Sequence, residues 1–176
     1  MEWDYSDIAS NVEDTITALK QYIDTLSTVE LSPGMSEQAF KDLLHIQNEY
    51  YTVSSKLGCY VSLRLSANVN DHEARSYQSQ LDTLSVEASE KIMHISHWLK
   101  GLPTHYEVLD DENAKRLFAV NPQLTYMFTY ARKQAKYSLP LESEQIMHAK
   151  DVNGTDALTE LYDVLCNGFE YTVELP

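Results

Sequence analysis

From residue 37 to residue 66 the apolar side chains follow one helical rule without a break. Ala39, Leu43, Ile46, Tyr50, Val53, Leu57 and Tyr60 succeed one another at alternating spacings of four and three residues. That period lays all seven along one side of an α-helix, whereas strand pairing would need alternation every second residue. A helix carrying such a stripe draws its stability from packing the stripe against neighbours. The sequence supplies two. In 7–26, Ile8, Val12, Ile16, Leu19, Ile23 and Leu26 repeat the pattern, and in 70–99 the stripe is Leu81, Leu84, Ala88, Ile92, Ile95 and Leu99. Only the short polar link 67–70 separates the second and third helices, so they are expected as an antiparallel αα-hairpin. Ser36 is the expected N-cap of the second helix. Asn70 is expected to cap the third, with the Glu73 carboxylate returning the bond. Glycine and proline number five each, and Pro33-Gly34, Gly101, Pro103, Pro122, Pro140 and Gly154 stand between the periodic stretches. Gly58 alone interrupts a stripe, and a close helix crossing is the expected reason.

After Pro103 the elements shorten. Helices are expected over 111–119, 122–136 and 142–149, then a loop over 151–155 and a last helix ending at Cys166 before Asn167-Gly168. Pro122 behind Asn121 fits the first position of a helix. The tail Phe169-Glu170-Tyr171-Thr172-Val173-Glu174-Leu175 alternates apolar and polar, the period of one β-strand. The expected fold is therefore mainly α: an antiparallel helical bundle built on a long hairpin over residues 1–168, with a short strand in 169–176. A strand without a mate in the chain would pair outside it, and a weak dimer through that edge is an expected consequence.

Charge narrows the partners. The 176 residues carry 27 Asp and Glu against 13 Lys and Arg, a net charge of −14. Such a surface repels phosphate backbones and anionic membranes, so neither nucleic acid nor membrane is an expected partner. Cys59 and Cys166 form no paired motif and read as two free thiols of a reducing compartment. The start of the chain, Met1-Glu2-Trp3-Asp4-Tyr5-Ser6-Asp7, shows neither a basic nor an apolar leader region, so the expected location is cytoplasmic.

Residues able to do chemistry are present but not in working patterns. His72-Glu73 opens like the zinc-protease motif HExxH, but Ser76 stands where the second histidine is needed. Glu87, Glu90, His94 and His97 step by three, four and three, a spacing that puts carboxylates and imidazoles on one helix face, as a zinc or iron site requires. At about 100° per residue that face lies opposite the Leu81–Leu99 stripe. Solvated side chains are therefore expected there, not a metal site. Asn153-Gly154-Thr155 reads as a turn, and Asp110-Asp111-Glu112 as the acidic start of a helix. Arg132, Lys133 and Lys136 are expected to satisfy the C-terminus of their own helix. Tyr22, Tyr50 and Tyr60 are expected to pack in the core. No catalytic, cofactor-binding or metal-binding residue is assigned.

Three segments, in order, resemble the N-terminal region of the oligoendopeptidase F family, zinc metallopeptidases related to thimet oligopeptidase. The first is Leu57-Gly58-Cys59-Tyr60-Val61-Ser62-Leu63-Arg64-Leu65-Ser66-Ala67-Asn68-Val69-Asn70-Asp71. The second is Trp98-Leu99-Lys100-Gly101-Leu102. The third is Lys150-Asp151-Val152-Asn153-Gly154-Thr155-Asp156-Ala157-Leu158, with Leu161-Tyr162-Asp163. The resemblance implies a helical lobe walling a substrate channel. The zinc site, with its HExxH and downstream glutamate, belongs to a C-terminal catalytic half whose motif has no counterpart here. Implied partners are that catalytic zinc domain and an oligopeptide substrate. Implied cofactors are none in this chain and zinc in the full-length family. The alternative is a stand-alone helical binding or scaffold protein without catalysis.

Overall fold

The long stripe becomes a long helix. In the computed structural model, which describes Ile8, residues 11–170 and Thr172 apart from the side chains of Val152 and Asn153, α2 runs without interruption over Glu37–Ala67. Before it lies α1 (Val12–Ser27) and after it α3 (His72–Leu99). These three pack on one another to form the body. Two short helices, α4 (Asp111–Phe118) and α5 (Thr125–Gln134), close one end, with a 3₁₀ turn at Ala135–Tyr137. Helix α6 (Leu141–Asp151) returns along α3. A π-helical turn, Val152–Asp156, then joins it to α7 (Ala157–Asn167).

Local chemistry explains most boundaries. The Ser36 hydroxyl accepts the Ala39 N–H at 3.1 Å and starts α2, as expected. At the start of α3 the cap lies one residue later than expected. Asp71, not Asn70, accepts the Ala74 N–H at 3.0 Å. Glu73 does not fold back on the cap but reaches Arg64 on α2 at 2.8 Å. Arg64 also grips Asp71 with two nitrogens and the Tyr60 hydroxyl with a third contact. This charge-assisted fork ties the end of α2 to the start of α3 and fixes the hairpin's closed end. The Ala74 N–H and then the Arg64 guanidinium hold the Asp71 carboxyl below its usual range.

The core forms two clusters along the body. Ile16, Leu19, Ile23, Tyr50, Leu57, Val61, Leu81, Leu84 and Ala88 fill the half nearer the α2–α3 link. Leu26, Phe40, Leu43, Ile95, Trp98, Leu109, Leu117, Phe118 and Phe128 fill the other. Ile92 packs against both. Phe118 stacks on Phe128 at 4.9 Å, and Phe40 lies against both rings. Trp98 is wholly buried and donates its indole N–H to the Glu107 carbonyl at 2.9 Å.

Arg132 does not serve its own helix, as its place in the basic run suggested. Its guanidinium crosses to the Leu99 and Leu109 carbonyls, each at 3.1 Å, and to Asp111 at 2.8 Å. It thus caps the end of α3. Gly101, the one described residue with a left-handed backbone (φ 73°), lies beneath it. A Cβ there would meet the guanidinium at 2.8 Å, so only glycine fits.

Four further expectations are corrected. Ala39 is exposed and Phe40 takes its place in the core, because α2 winds at 3.6 residues per turn rather than the 3.5 of the stripe. Nothing approaches within 4 Å of the position a Cβ would take at Gly58, so it marks no close crossing. Pro122 lies in the turn before α5, not at its first position. The expected loop at 151–155 is helical throughout. As for the strand, Phe169, Glu170 and Thr172 have no regular structure, while Tyr171 and 173–175 lie outside the described residues.

Two substitutions test this packing by urea denaturation. Leu57→Ala should cost about 2–5 kcal/mol, because Leu57 is wholly buried and leaves a cavity. Gly58→Ala, one residue on, should raise stability by roughly 1 kcal/mol, since helix propensity improves and the added methyl meets nothing.

Candidate functional site

Helix α3 has more than one buried side, and that changes the fate of its polar face. Glu87 and Glu90 are exposed, and Glu90 lies 3.4 Å from the Lys91 ammonium. His94 and His97, expected in solvent, are instead covered, His97 where α6 packs back on α3 and His94 in part beside His105 and Tyr106. His97 is 2% exposed, and its Nε2 lies 2.9 Å from the Glu144 carboxylate of α6. The second Glu144 oxygen accepts the Leu139 N–H at 3.1 Å, so this carboxylate also shapes the turn into α6. His94 lies edge-on to His105 at 4.6 Å and near Tyr106, with its Nδ1 buried and unbonded. The four residues do not converge. Among the described residues no group of three or more His, Cys, Asp or Glu is placed to hold a metal ion.

The other expected positions fall as follows. His72 opens α3 as an exposed residue. Asp110 caps α4, accepting the Glu112 and Asn113 N–H groups at 2.9 Å each. Gly154 sits within the π-helical turn. Tyr50 is buried, and Tyr22 and Tyr60 are half-buried. Cys59 and Cys166 are free thiols, Cys59 exposed and Cys166 partly covered.

A broad concavity lies elsewhere. Near the closed end of the hairpin, α2 and α3 form one wall and α7 the other, around a cavity of about 1250 Å³. Ser62, Leu65, Ser66 and Val69 line it from α2 and the link, and Gln78, Ser79, Asp82, Thr83 and Glu87 from α3. Asp156, Thr159, Glu160, Asp163 and Asn167 line it from the opposite side. Arg75 spans the two walls. Its Nε donates to the Val69 carbonyl at 2.8 Å and its Nη1 to Glu160 at 3.0 Å. Five carboxylates against this one guanidinium leave the lining electronegative. Hydroxyls, amides and carboxylates over a few apolar patches suit a polar, positively charged, extended ligand.

The sequence held a signal for half of this site. The stripes of α2 and α3 and the short link between them place the hairpin wall, although the cap was expected at Asn70 and not Asp71. The α7 wall could not be read, because its placement depends on the π-helical turn.

No protein-family model matches the chain, and neither a curated protein nor a solved structure is similar to it. Among the described residues no helix is long and apolar enough to cross a membrane.

Two covered titratable groups, His94 on α3 and Glu144 on α6, make stability depend on pH. Burial, with the neighbouring His105, lowers the pKa of His94 below the ordinary imidazole value. The folded chain therefore binds fewer protons there than the unfolded one, and stability falls as pH drops through about 6.5. Burial raises the Glu144 pKa, but hydrogen bonds from His97 and the Leu139 N–H, with the His97 and Lys100 charges, outweigh it and hold the carboxyl low. Its contribution is present above the unfolded pKa, about 4.3, and is lost as pH falls through the lower folded value. Both groups act in one direction. Urea midpoints should fall from pH 7 to pH 5 in the wild-type chain, and His94→Gln should flatten that part of the curve while leaving the loss below pH 4.

Proposed function

We propose that this chain is a non-catalytic helical lobe that walls the peptide channel of an oligoendopeptidase F-like zinc metalloendopeptidase. One observation carries the reading. Two of the three segments that resemble the family lie apart in sequence, yet they furnish facing walls of a single cavity. Ser62, Leu65, Ser66 and Val69 come from the first, and Asp156, Ala157 and Asp163 from the third. A patch of likeness spread at random over a helical bundle would have no reason to meet across a concavity.

In this reading the lobe binds and orients; it does not cleave. The metal and the hydrolytic step are assigned in this reading to a separate catalytic domain. The carboxylates of Asp82, Asp156 and Asp163 hold lysine and arginine side chains or the amino terminus of an oligopeptide. The serine, threonine and amide groups accept and donate along its backbone. Arg75 keeps the two walls at a fixed separation through Val69 and Glu160.

A titration of isotope-labelled chain with short basic and acidic oligopeptides, followed by NMR, tests the proposal. Basic peptides should shift the amides of Ser79, Thr83, Thr159 and Asn167, and no peptide should be cleaved with or without added zinc. Shifts confined to other surfaces, no shifts at all, or cleavage by the purified chain would each overturn it.

A further inference from the structure

Helix α7 is amphipathic, and it faces the wrong way for a helix that belongs only to this body. Leu158, Leu161, Tyr162 and Leu165 fall within about 100° of arc on one side. Thr159, Glu160, Asp163 and Asn167 occupy the opposite side. In an ordinary globular protein the first set would turn inward and the second outward. Here the polar set lines the cavity, and the four large apolar side chains stand 54–68% exposed. No residue of α7 is buried.

We infer that this outward stripe is a docking face for an amphipathic helix of another polypeptide, with apolar anchors at i, i+3, i+4 and i+7 and flanking lysines or arginines. The apolar half follows from the stripe, since its spacing is the one a helix-in-groove contact uses. The basic half follows from charge. Helix α7 contains no lysine or arginine, and it has no cation in its last turn to offset the negative end of its dipole. The nearest cation across the cavity, Arg75, is engaged with Glu160. The whole chain adds a field of net charge −14.

The same facts disfavour a second copy as the occupant. A symmetric contact would bring two strongly acidic chains together. Four such side chains also offer only on the order of 400 Å² of apolar surface per molecule, about half of what a stable dimer interface buries on each side. A basic helix gains from the field that a second copy must overcome. The inference does not rest on the peptidase reading, because the outward face and the inward cavity are separate surfaces of α7.

The test uses the whole chain and two synthetic helical peptides with identical leucine stripes, one flanked by lysines and one by glutamates. Binding is followed by fluorescence anisotropy, and self-association by sedimentation. The lysine-flanked peptide should bind, more weakly as salt rises, and the glutamate-flanked one about tenfold or more less tightly. Leu161→Ser with Leu165→Ser should lower the affinity for the lysine-flanked peptide about tenfold or more. It should leave the circular dichroism melt in place, since both side chains are exposed. Equal binding of the two peptides, no binding of the lysine-flanked peptide, or binding unaffected by the double substitution would overturn the proposal. So would a chain that dimerises alone through a contact the double substitution removes.

Discussion

The apolar seam along α2 is the constraint on which the other elements depend. Helix α1 lies against it, α3 returns along it, and the buried positions Phe40, Leu43, Tyr50, Leu57 and Val61 run from one end to the other. What happens at its two ends differs. At the Phe40 end, α4 and α5 add Leu117, Phe118 and Phe128 to a ring cluster around Trp98, and Arg132 seals the backbone of α3 with bonds to carbonyls. At the Val61 end there is no comparable apolar cap. An ionic fork, Arg64 with Asp71 and Glu73, closes the hairpin, and beyond it lies open space bounded by α7. The molecule has one end built from packed rings and one built from charges, and the concavity belongs to the charged end.

The helices of the body were legible because each carries a periodic stripe long enough to outweigh local propensity. The cap of α2 was legible for the same reason, since Ser36 precedes an unbroken pattern. Misplacements were local. Asn70 and Asp71 are both good caps, and only Arg64, two turns back on α2, decides that Asp71 is held in place. His94 and His97 were read as solvated because helical phase shows which face carries the main stripe and nothing about a second neighbour. Helix α6 covers His97 through Glu144, His105 and Tyr106 lie against His94, and no property of residues 72–99 announces either. Arg132 shows the same limit: a basic side chain in the last turn of a helix can serve that helix or reach a carbonyl that only tertiary structure brings near.

The cavity and the outward face of α7 divide one helix between two kinds of contact. Its polar side suits charged groups of a ligand that enters and leaves, and its apolar side suits a lasting association. The single ion pair between Arg75 and Glu160 is the direct bond from α3 to α7 among the hydrogen bonds described above, so the lobe's wall rests on few contacts. Segments with few buried apolar contacts are the ones that open first.

The π-helical turn between α6 and α7 decides which side is which. A π turn takes one more residue into its hydrogen-bonded ring than an α turn, so the helix emerges from it at a different rotational phase. With Val152–Asp156 wound this way, Glu160 and Asp163 point at the hairpin. Wound as plain α-helix, the same residues would leave α7 turned by about 100° about its own axis. Thr159 and Tyr162 would then face inward and the acidic groups would swing aside. The hydrogen-bond register of the joint between α6 and α7 therefore sets which side of α7 is turned to the cavity and which is turned away from it.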